Sequence, residues 1–264
     1  MKMRAVRKGE RTVLQDCQFQ GTFKVTRPVY EDGYPFVYCI HVGGGYVDGD
    51  RYLTEISLEE DAMLTVTTQA ATKIYKTPKH PVTQQTELSL KKGGYLAFVP
   101  DPIIAYAGAR FLQETTIRME KGARLLYSDI ITPGWSEDGT HFSYDWIRSK
   151  VKVYVDGKLQ LYDHVFLHPS EQELTELLQM EGYTHFGSLL VIDSELQSAW
   201  VNEVKELVEA RSDSLHGGVS LLKEGGFVIR VLADQTQAIE RLFQACMDSI
   251  REKQQAPVIS IRKY

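Results

Sequence analysis

A chain of 264 residues, 43% hydrophobic and 25% charged, has the balance of an ordinary globular protein; it is long enough for one large domain or two small ones and leaves no room for a long disordered region. Its formal net charge of −5 lacks the broad positive field that draws in phosphate backbones or anionic lipid, which excludes nucleic acid and the membrane surface as expected partners. The three cysteines, Cys17, Cys39 and Cys246, are scattered singly, so neither a C-x-x-C metal pair nor a disulfide framework can be read from them, and a reducing compartment fits best.

In chain order, Met1 to Arg11 is basic but has no apolar stretch of the signal-peptide kind. No apolar run approaches the roughly 20 residues that cross a bilayer, so a soluble, cytoplasmic protein is expected. An internal echo follows, in which two apolar residues at period two lead through a charged or glycine turn into another strand. Its copies run from Ile56-Ser57-Leu58 to Met63-Leu64, from Leu88-Ser89-Leu90 to Tyr95-Leu96, and from Ile117-Arg118-Met119 to Arg124-Leu125. The spacing of about thirty residues is one at which a unit cannot bury its own apolar face and must stack on the next. The alternation Leu64, Val66, Thr68 against Thr65, Thr67 marks strand rather than helix, as does Val151, Val153, Val155 leading through Asp156-Gly157 into Leu159 and Leu161.

Segment 170–180, with Glu171, Glu173, Leu174, Leu177 and Leu178, could form a short helix. Beyond Gly187 the pattern changes. The strand Leu189–Ile192 meets Asp193 and Ser194, which are plausible caps for a helix through Arg211 whose apolar face is Leu196, Trp200, Val201, Val204, Leu207 and Val208. That face reads as core before it reads as interface. A hairpin of Val219–Leu222 and Phe227–Leu232 comes next, then a last helix carrying Ile239, Leu242, Phe243, Cys246 and Ile250. The expected fold is mainly β: a β-helix-like stack of strands over about 1–187, with two C-terminal helices in a small α+β end layer over about 188–264. No linker rich in Gly, Pro or Ser divides them, so residues 1–264 are treated as a single domain.

Familiar catalytic signatures are absent: there is no G-x-x-x-x-G-K-[ST], H-E-x-x-H, G-x-S-x-G, or G-x-G-x-x-G before a helix. Two polar segments stand out instead, Gly43-Gly44-Gly45-Tyr46-Val47-Asp48-Gly49-Asp50 and Thr67-Thr68-Gln69-Ala70-Ala71-Thr72-Lys73-Ile74-Tyr75. With Pro100-Asp101-Pro102-Ile103-Ile104, Gly108-Ala109, Leu125 to Asp129, Gly134, Gly139 to Phe142, and Gly157-Lys158-Leu159 leading to Asp163, they resemble the signature segments of the UreD/UreH urease accessory family. The resemblance spans roughly residues 20–170, and beyond Gly187 it holds only in outline. The chain departs from the usual G-G-D at Asp48-Gly49-Asp50, and Asp163 stands where other members can carry Glu; both differences add or keep negative charge.

The resemblance implies a protein that is not an enzyme. Its implied partners are the urease apoprotein and UreF, with the nickel-binding GTPase UreG recruited through UreF. It implies no tightly bound cofactor, and Ni2+ in transit along an internal passage. Carboxylates suit such a route because soft thiolates hold late divalent metals tightly. Asp50, Asp129 and Asp163 are the candidate metal contacts on the matching strands, with Thr72 and Lys73 nearby and Gly44, Gly45 and Gly49 as signature positions.

Each carboxylate has an ordinary reading beside this one. Asp50 could cap local backbone N–H groups after the glycines, Asp129 could be held by a structural hydrogen bond or salt bridge, and Asp163 could be a solvated strand end. The glycines suit left-handed turns or close strand approach better than phosphate binding, since no helix start follows them. Among seven histidines, His164 and His168 have i, i+4 spacing but lie in an extended segment, and His80 and His141 fall in expected loops. Tyr30, Tyr34, Phe36 and Tyr106 are candidate partner-contact aromatics. Two other functions stay open: a β-solenoid carbohydrate-active enzyme using paired acids, and an adaptor with no metal role.

Overall fold

A computed structural model describes residues 1–31, 34–177, 179–196, 198–223 and 225–254. The strands in chain order are β1 (Lys2–Lys8), β2 (Arg11–Gln18), β3 (Phe23–Val25), β4 (Val29–Glu31), β5 (Tyr34–His41), β6 (Arg51–Leu58), β7 (Met63–Thr68), β8 (Thr72–Ile74) and β9 (Val82–Leu90). They continue with β10 (Tyr95–Val99), β11 (Ile103–Ala105), β12 (Arg110–Met119), β13 (Arg124–Ile131), β14 (Trp146–Val155), β15 (Lys158–Leu167) and β16 (His185–Ile192). Helix α1 (Ser198–Glu209), β17 (Leu215–Leu221), β18 (Phe227–Ala233) and helix α2 (Thr236–Gln254) complete the chain.

The three sequence echoes are the turns of the stack. In each, one strand enters a seven-stranded sheet ordered β15-β14-β12-β9-β6-β1-β2, and the next enters a larger sheet along β17-β18-β16-β13-β10-β7-β5-β3. Strand register, parallel except where β16 joins, places like residues above one another: Met3, Ile56, Leu88, Ile117 and Val153 form one column, facing the column Leu64, Leu96, Leu125 and Ile192 of the second sheet. Each of these buried aliphatic side chains contributes about 1.5–3 kcal/mol relative to exposure, and that burial is available only once neighbouring turns stack.

The second sheet is buried on its outer side as well. Tyr95, Ala97, Leu126, Leu189, Ile229 and Val231 meet Val201, Val204 and Val208 of α1 and Ile239, Leu242, Phe243, Cys246 and Ile250 of α2. Gly187 permits the approach of α2, since a Cβ there would lie 2.5 Å from the Ile239 side chain. The expected α+β end is joined to the stack by backbone hydrogen bonds, because β16 pairs antiparallel with β13 from Phe186 to Ile192 and β18 and β17 follow.

Two local expectations change. Residues 169–177 and 179–182 form turns rather than a helix: only Leu174 and Met180 are buried there, six positions apart and so on different helical faces, while Leu177 is exposed and Leu178 lies outside the described residues. Helix α1 begins at Ser198 and ends at Glu209, inside the expected bounds, because the Asp193 carboxylate accepts the Glu195 N–H within a turn instead of starting the helix. Among the described residues no helix is long and apolar enough to cross a membrane.

Candidate functional site

Midway along the seven-stranded sheet the inward face changes character. Strands β9 and β12 each present two polar residues between apolar ones, Gln84 and Thr86, then Gln113 and Thr115, flanked on neighbouring strands by Thr54 and Ser149. Register brings them side by side: Gln84 pairs with Gln113 and Gln113 with Ser149, while Thr54 pairs with Thr86 and Thr86 with Thr115. The result is a polar row running across the sandwich between two apolar clusters. Buried polar groups need partners, and Gln84, Gln113 and Ser149 find them in one another and in Asp129, while Thr115 meets the Tyr127 hydroxyl. The Tyr46 hydroxyl donates to Gln84 Oε1 at 2.8 Å, Gln84 Nε2 to Gln113 Oε1 at 3.5 Å, and Gln113 Nε2 to Asp129 Oδ2 at 2.7 Å.

Asp129 comes from β13 of the opposite sheet and is 8% exposed. Its other side-chain donor is Ser149 Oγ at 3.2 Å, so both side chains that hold it are neutral. Burial pushes its carboxyl up to about 6; the Ser149 and Gln113 hydrogen bonds oppose the rise and the charge of Asp163 adds to it. Asp163, on β15, lines the same cavity of about 20 Å³, together with Ser149 and Ser188. Its Oδ1 receives Arg230 Nη2 at 2.7 Å, an ion pair that spans the gap between the two sheets.

Asp129 also borders a second cavity, of about 40 Å³, walled by Thr54, Gln84, Thr86, Gln113, Thr68 and Asp101. Thr72 belongs to this wall and to that of a third cavity of about 170 Å³, where Gly44, Gly45, Lys73, Cys39, His41 and Tyr46 meet. Both small cavities have room for a water molecule. Burial raises the Cys39 thiol to about 12, which keeps it protonated and unsuited to holding a metal as thiolate.

The structure therefore brings Asp129 and Asp163 together and holds Asp50 apart. The Asp50 carboxylate accepts the Val47 N–H at 2.9 Å and the Tyr52 hydroxyl at 2.6 Å, and its backbone carbonyl accepts Thr83 N–H. It closes the glycine turn as the ordinary reading anticipated. Through Tyr52 it reaches His41, whose Nε2 lies 3.0 Å from the same hydroxyl, and Tyr46, stacked on Tyr52 at 4.0 Å between ring centroids. Burial lowers the His41 pKa against the pull of Asp50.

Gly44 and Gly49 both take φ of +77°, and at Gly45 a Cβ would lie 2.8 Å from the Lys73 carbonyl oxygen. The glycines are thus spent on turns and close approach. The extra carboxylate of the signature, Asp48, accepts the Lys79 and His80 N–H groups, which hold its pKa below the usual range and pin that loop.

Of the other expected residues, His164 lies in extended β15, His80 lies in a bend and His141 in a turn, and Phe36 is buried rather than at the surface. Tyr106 meets Tyr75 edge-on and lies tilted against Trp135. Sequence reasoning missed Gln84, Gln113, Ser149, His41 and Arg230. The first three carried a usable signal, a polar residue at period two inside an otherwise apolar strand face. Among the described residues no three His, Cys, Asp or Glu side chains converge as a metal cluster.

A family model described as UreD urease accessory protein matches residues 1–263, and so extends through the helical end. A Bacillus sp. (strain TB-90) protein named Urease accessory protein UreD is 48% identical over 243 residues, covering 92% of this chain and 89% of the relative. A protein of that name from Lachnoclostridium phytofermentans is 40% identical over 255 residues, covering 96% and 93%. One from Staphylococcus aureus (strain bovine RF122 / ET3-1) is 38% identical over 248 residues, covering 92% and 89%.

Proposed function

The chain belongs to the UreD urease accessory protein family, and from that membership we propose that it is a non-enzymatic cytoplasmic scaffold that assists nickel insertion into the urease active site. Its partners are the urease apoprotein and UreF, with UreG joining through UreF. Nickel is cargo, and it travels through the polar row inside the sandwich. The observation that carries this reading is Asp129, a carboxylate buried against two neutral donors with a second carboxylate, Asp163, in the same cavity.

Amide, hydroxyl and carboxylate oxygens supply weak, exchangeable ligands to a divalent cation, and two negative charges favour it without completing a cage. A metal held in that way can move on. The carbohydrate-active alternative has little support, because a cavity of about 20 Å³ beside the carboxylate pair admits no sugar ring.

The test is activation of apo-urease with the purified accessory partners in limiting nickel. Asp129→Asn and Asp163→Asn should still co-purify with urease and UreF, yet activate about tenfold more slowly, the loss expected when a cation forfeits one charged contact. Wild-type rates from both variants would sink the transit reading and leave a metal-independent adaptor.

A further inference from the structure

The second carboxylate of the row is already occupied. Arg230 Nη2 lies 2.7 Å from Asp163 Oδ1; the Asp163 side chain is 14% exposed and that of Arg230 52%. The anion is therefore fixed in the interior, and the cation is an arm reaching in from solvent. The two residues also face different spaces. Asp163 lines the small interior cavity with Asp129, whereas Arg230 lines a surface pocket of about 490 Å³ with His164 and His216, and both cavities share Val165 and Phe186 in their walls.

We propose that Arg230 is the gate and selectivity element of the row: its guanidinium holds the cation position of Asp163, and a divalent ion passes this end only by displacing it. The inference rests on the transit reading above. Three features support it. An ion pair with one half-exposed partner is held weakly, so exchange is cheap. The neighbouring strand leaves the arm room, since Gly218 pairs with Arg230 in register and a Cβ there would meet nothing within 4 Å. Charge favours the exchange too: a single positive charge answers Asp163 alone, whereas a divalent ion in the shared cavity answers Asp129 as well. Monovalent ions lack that advantage, so the gate discriminates by charge.

Equilibrium dialysis of the full chain against NiCl2 tests this, in parallel with thermal unfolding. Arg230→Ala should bind Ni2+ about fivefold more tightly than wild type, having lost the competing cation, and Arg230→Lys should stay near wild type. Equal affinity in all three proteins, or weaker binding in Arg230→Ala with a lowered unfolding midpoint, would overturn the gate and leave Arg230 a strut between sheets. Asp129→Asn and Asp163→Asn separate the two claims. If they lose nickel while Arg230→Ala gains none, the gate alone fails; if they bind nickel as wild type does, the transit reading fails first.

Discussion

The polar row has two ends, and the same residue type does different work at each. Near one end Asp50 is held by its own turn, accepting the Val47 N–H and the Tyr52 hydroxyl, both a few positions away. At the other, Asp163 is held by Arg230, which lies 67 positions along the chain and on the opposite sheet. A carboxylate closed by its own backbone belongs to the scaffold, whereas one closed by a movable arm is available for exchange. Local partners in sequence mark a structural acid, and distant ones mark an acid that only the assembled fold could place.

The largest expected effect comes from the residue between the two ends. Folded Asp129 keeps its proton up to about pH 6, while the unfolded chain loses it near the ordinary 3.8. Acidification from pH 7 toward pH 4 should therefore stabilise the fold through this residue, by roughly 2–3 kcal/mol. Chemical denaturation of wild type and Asp129→Asn at both pH values isolates that contribution, and identical pH dependence in the two would show that the carboxyl is not desolvated. Next is the glycine turn: Gly45→Ala should cost about 2 kcal/mol, since its Cβ would meet the Lys73 carbonyl. A lowered denaturation midpoint is the readout.

Asp50→Ala should cost about 1 kcal/mol by freeing the Val47 N–H and the Tyr52 hydroxyl. Asp163→Asn should fall below about 1 kcal/mol, because Arg230 is half exposed, while still slowing urease activation. If Asp50→Ala slowed activation as much as Asp163→Asn with no loss of stability, the contrast between the two ends would collapse.

The stack was legible in the echoes at Ile56, Leu88 and Ile117, because side chains at period two that recur every thirty residues have only one way to bury together. Asp129 was legible as a carboxylate among apolar neighbours. Gln113 and Ser149 were overlooked because a polar residue on an apolar strand face, though visible, says nothing of its neighbours; only register makes Gln84, Gln113 and Ser149 adjacent. The segment around Leu174 misled because its acids and leucines satisfy helical composition without a single buried face. Arg230 gave no signal, since one arginine in a strand is ordinarily solvated.

What the residues determine by themselves is local: strand alternation, corners at glycine and charged turns, the apolar faces of both helices, and a family likeness carried by short motifs. Which acids share a cavity, and which cation holds one of them closed, was decided when two sheets met face to face. Pairing between sheets depends on distances across the sandwich, and no spacing along the chain encodes them.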